Sequence, residues 1–229
     1  MSYKMIIELN KVGKSYINPG TNIQRDVLSD INLTVNNSDS LAIVGPSGSG
    51  KSTLLNIVGT LDIPSSGTVK FKGEEVTGFD EKRLAQIRNQ SIGFVFQFHH
   101  LLPQLSLIEN VLIPVIPQKG KVNGKAINAR AMELLDSVGL VDRIHQRPGQ
   151  LSGGECQRAA LVRALINQPE MILADEPTGS LDQDSAAQLG ELLLDINNKH
   201  NVAIVVVTHS LTLAEKMKTI YRLSHGRLE

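Results

Sequence analysis

Eight consecutive residues, Gly45-Pro46-Ser47-Gly48-Ser49-Gly50-Lys51-Ser52, match the pattern G-x-x-x-x-G-K-[ST] without deviation. Glycines let a backbone curl until successive N–H groups point at one place, which suits phosphate oxygens. The loop follows the apolar run Leu41–Val44 and opens a helical stretch from about Lys51 to Val58. The start of that helix adds its dipole to the same anion site. In this pattern Lys51 bridges the β- and γ-phosphates of a nucleoside triphosphate, and the Ser52 hydroxyl ligates Mg²⁺. Thr53 is placed to reach the α-phosphate. The bland alternative is a chance Gly-rich turn, and the strand before it and the helix after it count against that. A second candidate is Met171-Ile172-Leu173-Ala174-Asp175-Glu176, an apolar strand ending in two acids. Beside a phosphate loop, such a strand carries an acid toward the metal. Asp175 is the expected Mg²⁺ holder, through a water, and Glu176 the expected general base or water-orienting group. Without the phosphate loop, the pair would read equally well as solvated acids opening a turn before Pro177.

The elements that position these residues follow from apolar periodicity. Ile6–Leu9 and Ile31–Val35 read as strands, with Asn18-Pro19-Gly20 as turn chemistry between them. Thr68–Lys72 and Ile92–Phe96 are further strand candidates. Met171–Ala174 and Val202–Val207 are continuous apolar runs, as expected of strands buried on both faces. Ala126–Val138 has helical period, with Ile127, Ala131, Leu134, Leu135 and Val138 on one face. Gln183–Lys199 is a second such helix, turning Ala186, Leu189, Leu193 and Ile196 inward. Alternating strands and helices predict an α/β fold with a mostly parallel sheet. The stretch from about Ser106 to Asn167 carries no strand signal and predicts a helical insertion.

Composition bounds the rest. The 229 residues are 41% hydrophobic and 20% charged, close to ordinary globular values, so a buried core is available. Aromatics are only 3%, so aliphatic side chains must build it. Twenty-three Lys and Arg balance 23 Asp and Glu, which gives no general polyanion-binding surface. The single cysteine, Cys156, excludes an intramolecular disulfide framework and suits a reducing compartment. No apolar run approaches the ~18 residues that span a bilayer, and the first residues carry no secretory segment. A cytoplasmic chain is expected, with any membrane spans supplied by a partner.

Leu151-Ser152-Gly153-Gly154-Glu155 resembles the signature motif of ATP-binding-cassette (ABC) ATPases. Further motifs follow in that family's order over nearly the whole chain. Tyr16 resembles the aromatic that stacks on adenine, Gln97 the Q-loop glutamine, Ser180-Leu181-Asp182 the D-loop, and His209 the switch histidine. The resemblance implies a single ABC ATPase domain over 1–229. Its α/β core with an N-terminal antiparallel β subdomain would comprise 1–97 and 168–229, and its helical subdomain about 98–167. It also implies ATP and Mg²⁺ as ligands and a homodimer that buries two ATP molecules. In that dimer Ser152, Gly153 and Gly154, opening a helix, face the phosphate loop of the partner. His209 would hold the γ-phosphate, and Gln97 would touch Mg²⁺ and the attacking water, coupling phosphate loss to the helical subdomain. Three positions depart from the commoner pattern, namely Glu155, Cys156 and Ser210. None removes an essential group.

The stretch Gly93-Phe94-Val95-Phe96-Gln97-Phe98-His99-His100-Leu101-Leu102-Pro103 is similar to the lipoprotein-releasing (LolD-type) branch, as are Arg88-Asn89-Gln90 and Leu173 to Gly179. Macrolide-exporter (MacB-type) and cell-division (FtsE-type) ATPases are its kin. This resemblance implies the ATPase subunit of a membrane transporter, peripheral on the cytoplasmic face of the bacterial inner membrane. Integral membrane subunits would be its partners, and lipoprotein release its task, with macrolide or peptide efflux or a cell-division complex the alternative. Leu101 and Leu102 are expected near the groove that receives the partner's cytoplasmic helix, exposed until it docks. His99-His100 is read as packing or partner contact rather than a metal site, since no zinc-type spacing accompanies it. The basic stretch Lys119 to Lys125 is read as a solvated loop, with anionic headgroups the lesser alternative. Nucleic acid is not an expected partner. DNA-repair relatives insert a long coiled coil, whereas here only 54 positions separate Gln97 from Leu151, without sustained heptads. A non-hydrolysing ATP binder is disfavoured by the presence of Glu176 and His209.

Overall fold

The computed structural model describes residues 4–17, 20, 22–118 and 123–229. Its centre is a six-stranded sheet. In chain order the contributing strands are β3 (Ser40–Val44), β6 (Ile92–Phe96), β7 (Met171–Asp175), β8 (Ala203–Thr208), β9 (Thr219–Ser224) and β10 (Arg227–Leu228). They lie in the order β10-β9-β3-β8-β7-β6, all neighbours parallel except the final β9–β10 hairpin. The continuous apolar runs have their physical reason here. Ala42, Val95, Ile172, Ala174, Ile204 and Val206 join one buried cluster. Their neighbours on the same strands, Leu41, Ile43, Met171, Leu173, Val205 and Val207, join another. Successive side chains of a strand point to opposite faces, so a sheet covered on both sides needs apolar residues at every position.

The second sheet is antiparallel, in the order β2-β1-β4-β5. It consists of β1 (Met5–Ile17), β2 (Gln24–Asn36), β4 (Ser66–Phe71) and the short β5 (Glu74–Glu75). The two opening strands run longer than the sequence suggests, pairing from Met5 opposite Asn36 to Ile17 opposite Gln24. Their apolar segments alone were visible, because the ends toward residues 17 and 24 are exposed and lack an alternating apolar pattern. Asn18 and Pro19 of the expected turn lie outside the described residues. This sheet and helix α1 (Lys51–Val58) cover one face of the central sheet through Leu9, Val12, Ile31, Leu54 and Ile57.

The other face is covered by helices. Among the described residues from 98 to 167 only helices and turns occur. They include α3 (Leu107–Leu112), α4 (Gly124–Ser137) and α5 (Gly153–Leu165). Helix α6 (Gln183–His200) completes the layer. Ala131, Leu134, Leu135 and Val138 are buried as the helical period predicts, as are Leu189, Leu193 and Ile196, while Ile127 is partly buried against them. Two helices escaped the sequence reading. Helix α2 (Glu81–Ser91) buries only Leu84 and Ser91, so it has almost no apolar stripe. Its start is nevertheless written locally, since the Asp80 carboxylate accepts from the Arg83 N–H at 2.8 Å. Helix α7 (Leu211–Ala214) is a single turn capped by Ser210. Of the basic stretch, residues 119–122 lie outside the described residues, and Gly124 and Lys125 are exposed at the start of α4.

Candidate nucleotide site

The loop between β3 and α1 is shaped by glycines, two of them tightly constrained. A Cβ at Gly45 would stand 2.3 Å from the Leu223 carbonyl oxygen. Gly50 caps α1 at φ 102°, a conformation L side chains rarely adopt. Lys51 is buried, and its ammonium donates to the carbonyls of Gly45 at 2.8 Å and Pro46 at 3.1 Å. The ammonium thus sits against the loop it would serve. Ser47, Gly48, Gly50, Lys51, Ser52 and Thr53 form one wall of a cleft of about 550 Å³. Gly45, Pro46 and Ser49 belong to the same loop but do not line the cleft.

The opposite wall is Gln97, Glu176 and His209, from the ends of three parallel strands. Carboxyl ends of parallel strands are where open α/β sheets place their sites. Asp175 ends β7, close to the Ser52 hydroxyl. Burial pushes its carboxyl above the usual range, and Glu176 adds to this. Ser52 and Lys51 pull in the other direction. The next residue, Glu176, has φ 46°, in the left-handed region. Its N–H donates to Val207 O at 2.9 Å and its carbonyl accepts from Gly179 N at 3.0 Å, which hold this unusual backbone. Its carboxylate Oε2 accepts from the Thr208 hydroxyl at 3.0 Å and the His209 N–H at 3.1 Å, and lies 2.9 Å from His209 Nδ1. Gln97 is held by its carbonyl, which accepts from Ser180 Oγ at 3.0 Å. A Cβ on Gly179 would come within 3.1 Å of the Gln97 amide nitrogen, so that glycine leaves room for the side chain.

Tyr16 stands at the rim, exposed, on β1 opposite Arg25 of β2. It does not line the cleft, but Thr53, which does, lies close enough to oppose the rise of its phenol pKa. Ser152, Gly153, Gly154 and Asp182 are elsewhere. Ser152 caps α5 in a reciprocal box with Glu155, its backbone N–H donating to the Glu155 carboxylate at 2.7 Å. Gly154 packs on Ser185, where a Cβ would meet the hydroxyl at 2.8 Å. Ser185 in turn donates its backbone N–H to Asp182, the cap of α6, at 2.9 Å. The starts of α5 and α6 therefore form a second cluster, apart from the cleft of the same chain.

Sequence reasoning missed Arg25 and Val27 of β2, which line the cleft, and Thr208, which holds Glu176. Arg25 and Val27 reach the cleft through strand pairing, which leaves no local sign. Thr208 directly precedes His209, and a polar residue ending an apolar strand was the available signal. One expectation needs correction. Leu101 is 5% exposed, in the core with Leu107 and Leu161, so it cannot await a partner; Leu102 alone is exposed. An apolar groove of about 460 Å³ is lined by Leu61, Ile92, Phe94, Phe96 and Ile113, with Arg163 and Asn167, and by neither of these leucines. His99 and His100 pack as expected. His99 Nδ1 accepts from Leu101 N at 3.0 Å, and the two His carbonyls accept from the Arg163 guanidinium at 2.7 Å each. Cys156 is buried, with its thiol pushed up by that burial.

A family model described as ABC transporter matches residues 28–179, which include the phosphate loop, the signature and the acidic pair. The chain belongs to the ABC transporter family. It is 48% identical to the lipoprotein-releasing system ATP-binding protein LolD of Geobacter metallireducens, over 97% of both chains. It is 48% identical to LolD 1 of Rhodopirellula baltica, over 97% of this chain and 96% of that one. Among solved structures it resembles a dimeric post-hydrolysis state of the ATP-binding cassette MJ0796 bound to ADP and Pi. The TM-score is 0.89 at 38% identity, over 98% of this chain and 97% of that one. This member of the family is an ATP-binding ATPase with the expected α/β fold and antiparallel N-terminal sheet. Among the described residues no helix is long and apolar enough to cross a membrane.

Proposed function

We propose that this chain is the ATPase subunit of a membrane complex that releases lipoproteins, driven by ATP-dependent pairing of two copies. The observation that carries the reading is the 48% identity, across 97% of both chains, to a protein named for lipoprotein release. The apolar groove beside Arg163 supports it, as a seat for a cytoplasmic helix of an integral subunit. Such an assembly would hold the chain at the cytoplasmic face of the inner membrane.

The separation of the two clusters supports pairing. The cleft has Lys51 and Glu176 on its walls but no residue of the 152–154 turn. A second copy would supply its Ser152, Gly153 and Gly154, adding helix N-terminal N–H groups to the phosphates. Asp182, at the start of α6 beside that turn, would lie at the same junction. In the dimer the 45–53 loop would cradle the triphosphate and Tyr16 would stack on the base. Lys51 would meet the β- and γ-phosphates, leaving the loop carbonyls it now contacts. Ser52, Asp175 and Gln97 present hard oxygen donors that suit Mg²⁺, and Ser52 and Asp175 lie close together. Bound there, Mg²⁺ would neutralise charge on the phosphate oxygens. Glu176 would orient and deprotonate the water that attacks the γ-phosphorus in line. His209 would swing from Glu176 toward the γ-phosphate.

Two experiments test this reading. Size-exclusion chromatography of Glu176→Gln with Mg-ATP should give a dimer; a monomer at high protein concentration overturns the pairing. Mild-detergent purification of the tagged chain from native membranes should recover two integral proteins with large extracytoplasmic domains. A single self-paired partner would favour the efflux or cell-division reading instead. Ribosomal or DNA-bound proteins without any membrane partner would overturn the transporter assignment and leave the ATPase.

A further inference from the structure

Tyr16 is not a free surface tyrosine. Its hydroxyl donates to Asp62 Oδ2 at 2.8 Å. Lys14, two residues earlier on β1, places its ammonium 4.9 Å from the ring centroid. That ammonium donates to Asp62 Oδ1 at 2.6 Å and to the Ile63 carbonyl at 2.7 Å. The Ile63 N–H completes the set by donating to Asp62 Oδ1 at 2.7 Å. The Lys14 side chain is only 12% exposed and that of Asp62 28%, whereas the Tyr16 residue is 44% exposed. A mostly buried ion pair thus supports an open ring.

We propose that Asp62 and Lys14 are positioning residues that lock Tyr16 as the stacking platform for the nucleobase of a nucleoside triphosphate. Lys14 covers one ring face and leaves the other for the base. Asp62 fixes the hydroxyl, and with it the ring's rotation. The inference rests on the nucleotide site proposed above and deepens it. A ring ordered by the fold loses no rotamer freedom when the base arrives. Thr53, close to the phenol, lies in the first turn of α1, directly after Ser52. The platform therefore stands near the start of the helix that follows the phosphate loop. Burial alone would push the Asp62 carboxyl up, but hydrogen bonds from Lys14, Tyr16 and the Ile63 N–H hold it below the usual range, so it is ionised at neutral pH.

The test uses the full chain and three probes, namely Mg-ATP, Mg-GTP and inorganic tripolyphosphate with Mg²⁺, titrated by calorimetry. Stacking of a base on an aromatic side chain is worth roughly 5- to 150-fold in affinity, and is tolerant of base identity. Asp62→Asn and Lys14→Met should each weaken ATP and GTP by about tenfold, out of that range, and leave tripolyphosphate unchanged. Tyr16→Phe, which deletes one hydroxyl and keeps the ring, should weaken both nucleotides by a smaller factor. Lys14→Arg retains a cation over the ring and should restore binding. In turnover the Michaelis constant for ATP should rise while kcat holds. Equal loss of ATP and tripolyphosphate would overturn the proposal, since the pair would then act on the phosphate loop. Unchanged ATP affinity in both Asp62→Asn and Tyr16→Phe would overturn it too, and leave the nucleotide site intact. A wild-type chain that binds none of the three probes would instead overturn the site itself. Tyr16→Phe removes no packing group, so its result stands even where the ion-pair variants fold poorly.

Discussion

Replacing Thr208 with Val should separate catalysis from stability in a way that no packing defect imitates. Thr208 is fully buried at the end of β8. Its hydroxyl donates to Glu176 Oε2 at 3.0 Å and accepts from Ser210 N at 3.0 Å. Valine keeps the shape and removes both bonds. A hydrogen bond to a charged group contributes about 1.5–3 kcal/mol, and an orphaned buried N–H costs about 1–3 kcal/mol. Glu176 and Ser210 are only half-buried beside the cleft, so water recovers part of this. A stability loss of roughly 2–4 kcal/mol follows, within the roughly 5–15 kcal/mol typical of a folded domain. If about 1.4 kcal/mol of that falls on the orientation of the Glu176 carboxylate, kcat drops about tenfold. Thr208 does not line the cleft, so the Michaelis constant for ATP should stay put. Thr208→Ser is the counterpart, keeping the oxygen and losing one buried methyl for about 1 kcal/mol. Stability should therefore rank Thr, Ser, Val, while kcat should rank Thr and Ser together above Val. Steady-state phosphate release and urea melts measure the two. A Val variant with full kcat, or a Ser variant as slow as Val, refutes the positioning role.

Leu101→Asp should fail to give soluble folded protein, because it buries a charge among Leu107 and Leu161. Leu102→Asp should melt within a few degrees of the parent, and equal behaviour of the two would contradict the burial pattern. Gly45→Ala should destabilise by several kcal/mol, on the order of other overpacked sites with rigid neighbours, since its Cβ would strike the Leu223 carbonyl. Gly48→Ala meets no atom but sits at φ 76°, so a smaller loss of about 1 kcal/mol should show in denaturant melts. Acid should unfold the chain through its helix caps. Hydrogen bonds at Ser106 hold the Glu109 carboxyl low, those at Ser152 hold Glu155, and the Ser185 N–H holds Asp182. Each then binds its proton more weakly folded than unfolded. The stability they give is complete above the unfolded carboxyl values near pH 4 and is lost as pH falls through the lower folded ones. Melting temperatures that stay flat from pH 7 to pH 3 would contradict this.

The chemistry-bearing loop was legible because it is local. Gly45 to Ser52 needs only its own backbone, the strand before it and the helix after it, and all three sit within twenty residues. The central strands were legible because burial on both faces demands unbroken apolar runs such as Ile172 to Ala174 and Ile204 to Val207. Helix α2 was not, since it buries almost nothing and leaves no periodic stripe. The exposure of Leu101 was misjudged for a related reason. Adjacent leucines in a loop look alike until tertiary packing turns one inward and the other out.

By itself, then, the sequence determined the phosphate loop, the acidic pair ending β7 and the alternation that builds a parallel sheet, together with the family these resemble. Only the tertiary structure decided which of the candidate residues meet. It gathered Lys51, Ser52, Gln97, Glu176 and His209 around one cleft and left Ser152 to Gly154 with Asp182 in another place. It set Lys14 and Asp62, which lie 48 positions apart, around Tyr16. Local backbone chemistry is written in neighbouring residues. Contacts between distant segments arise from strand order and helix packing, and no single stretch of the chain records them.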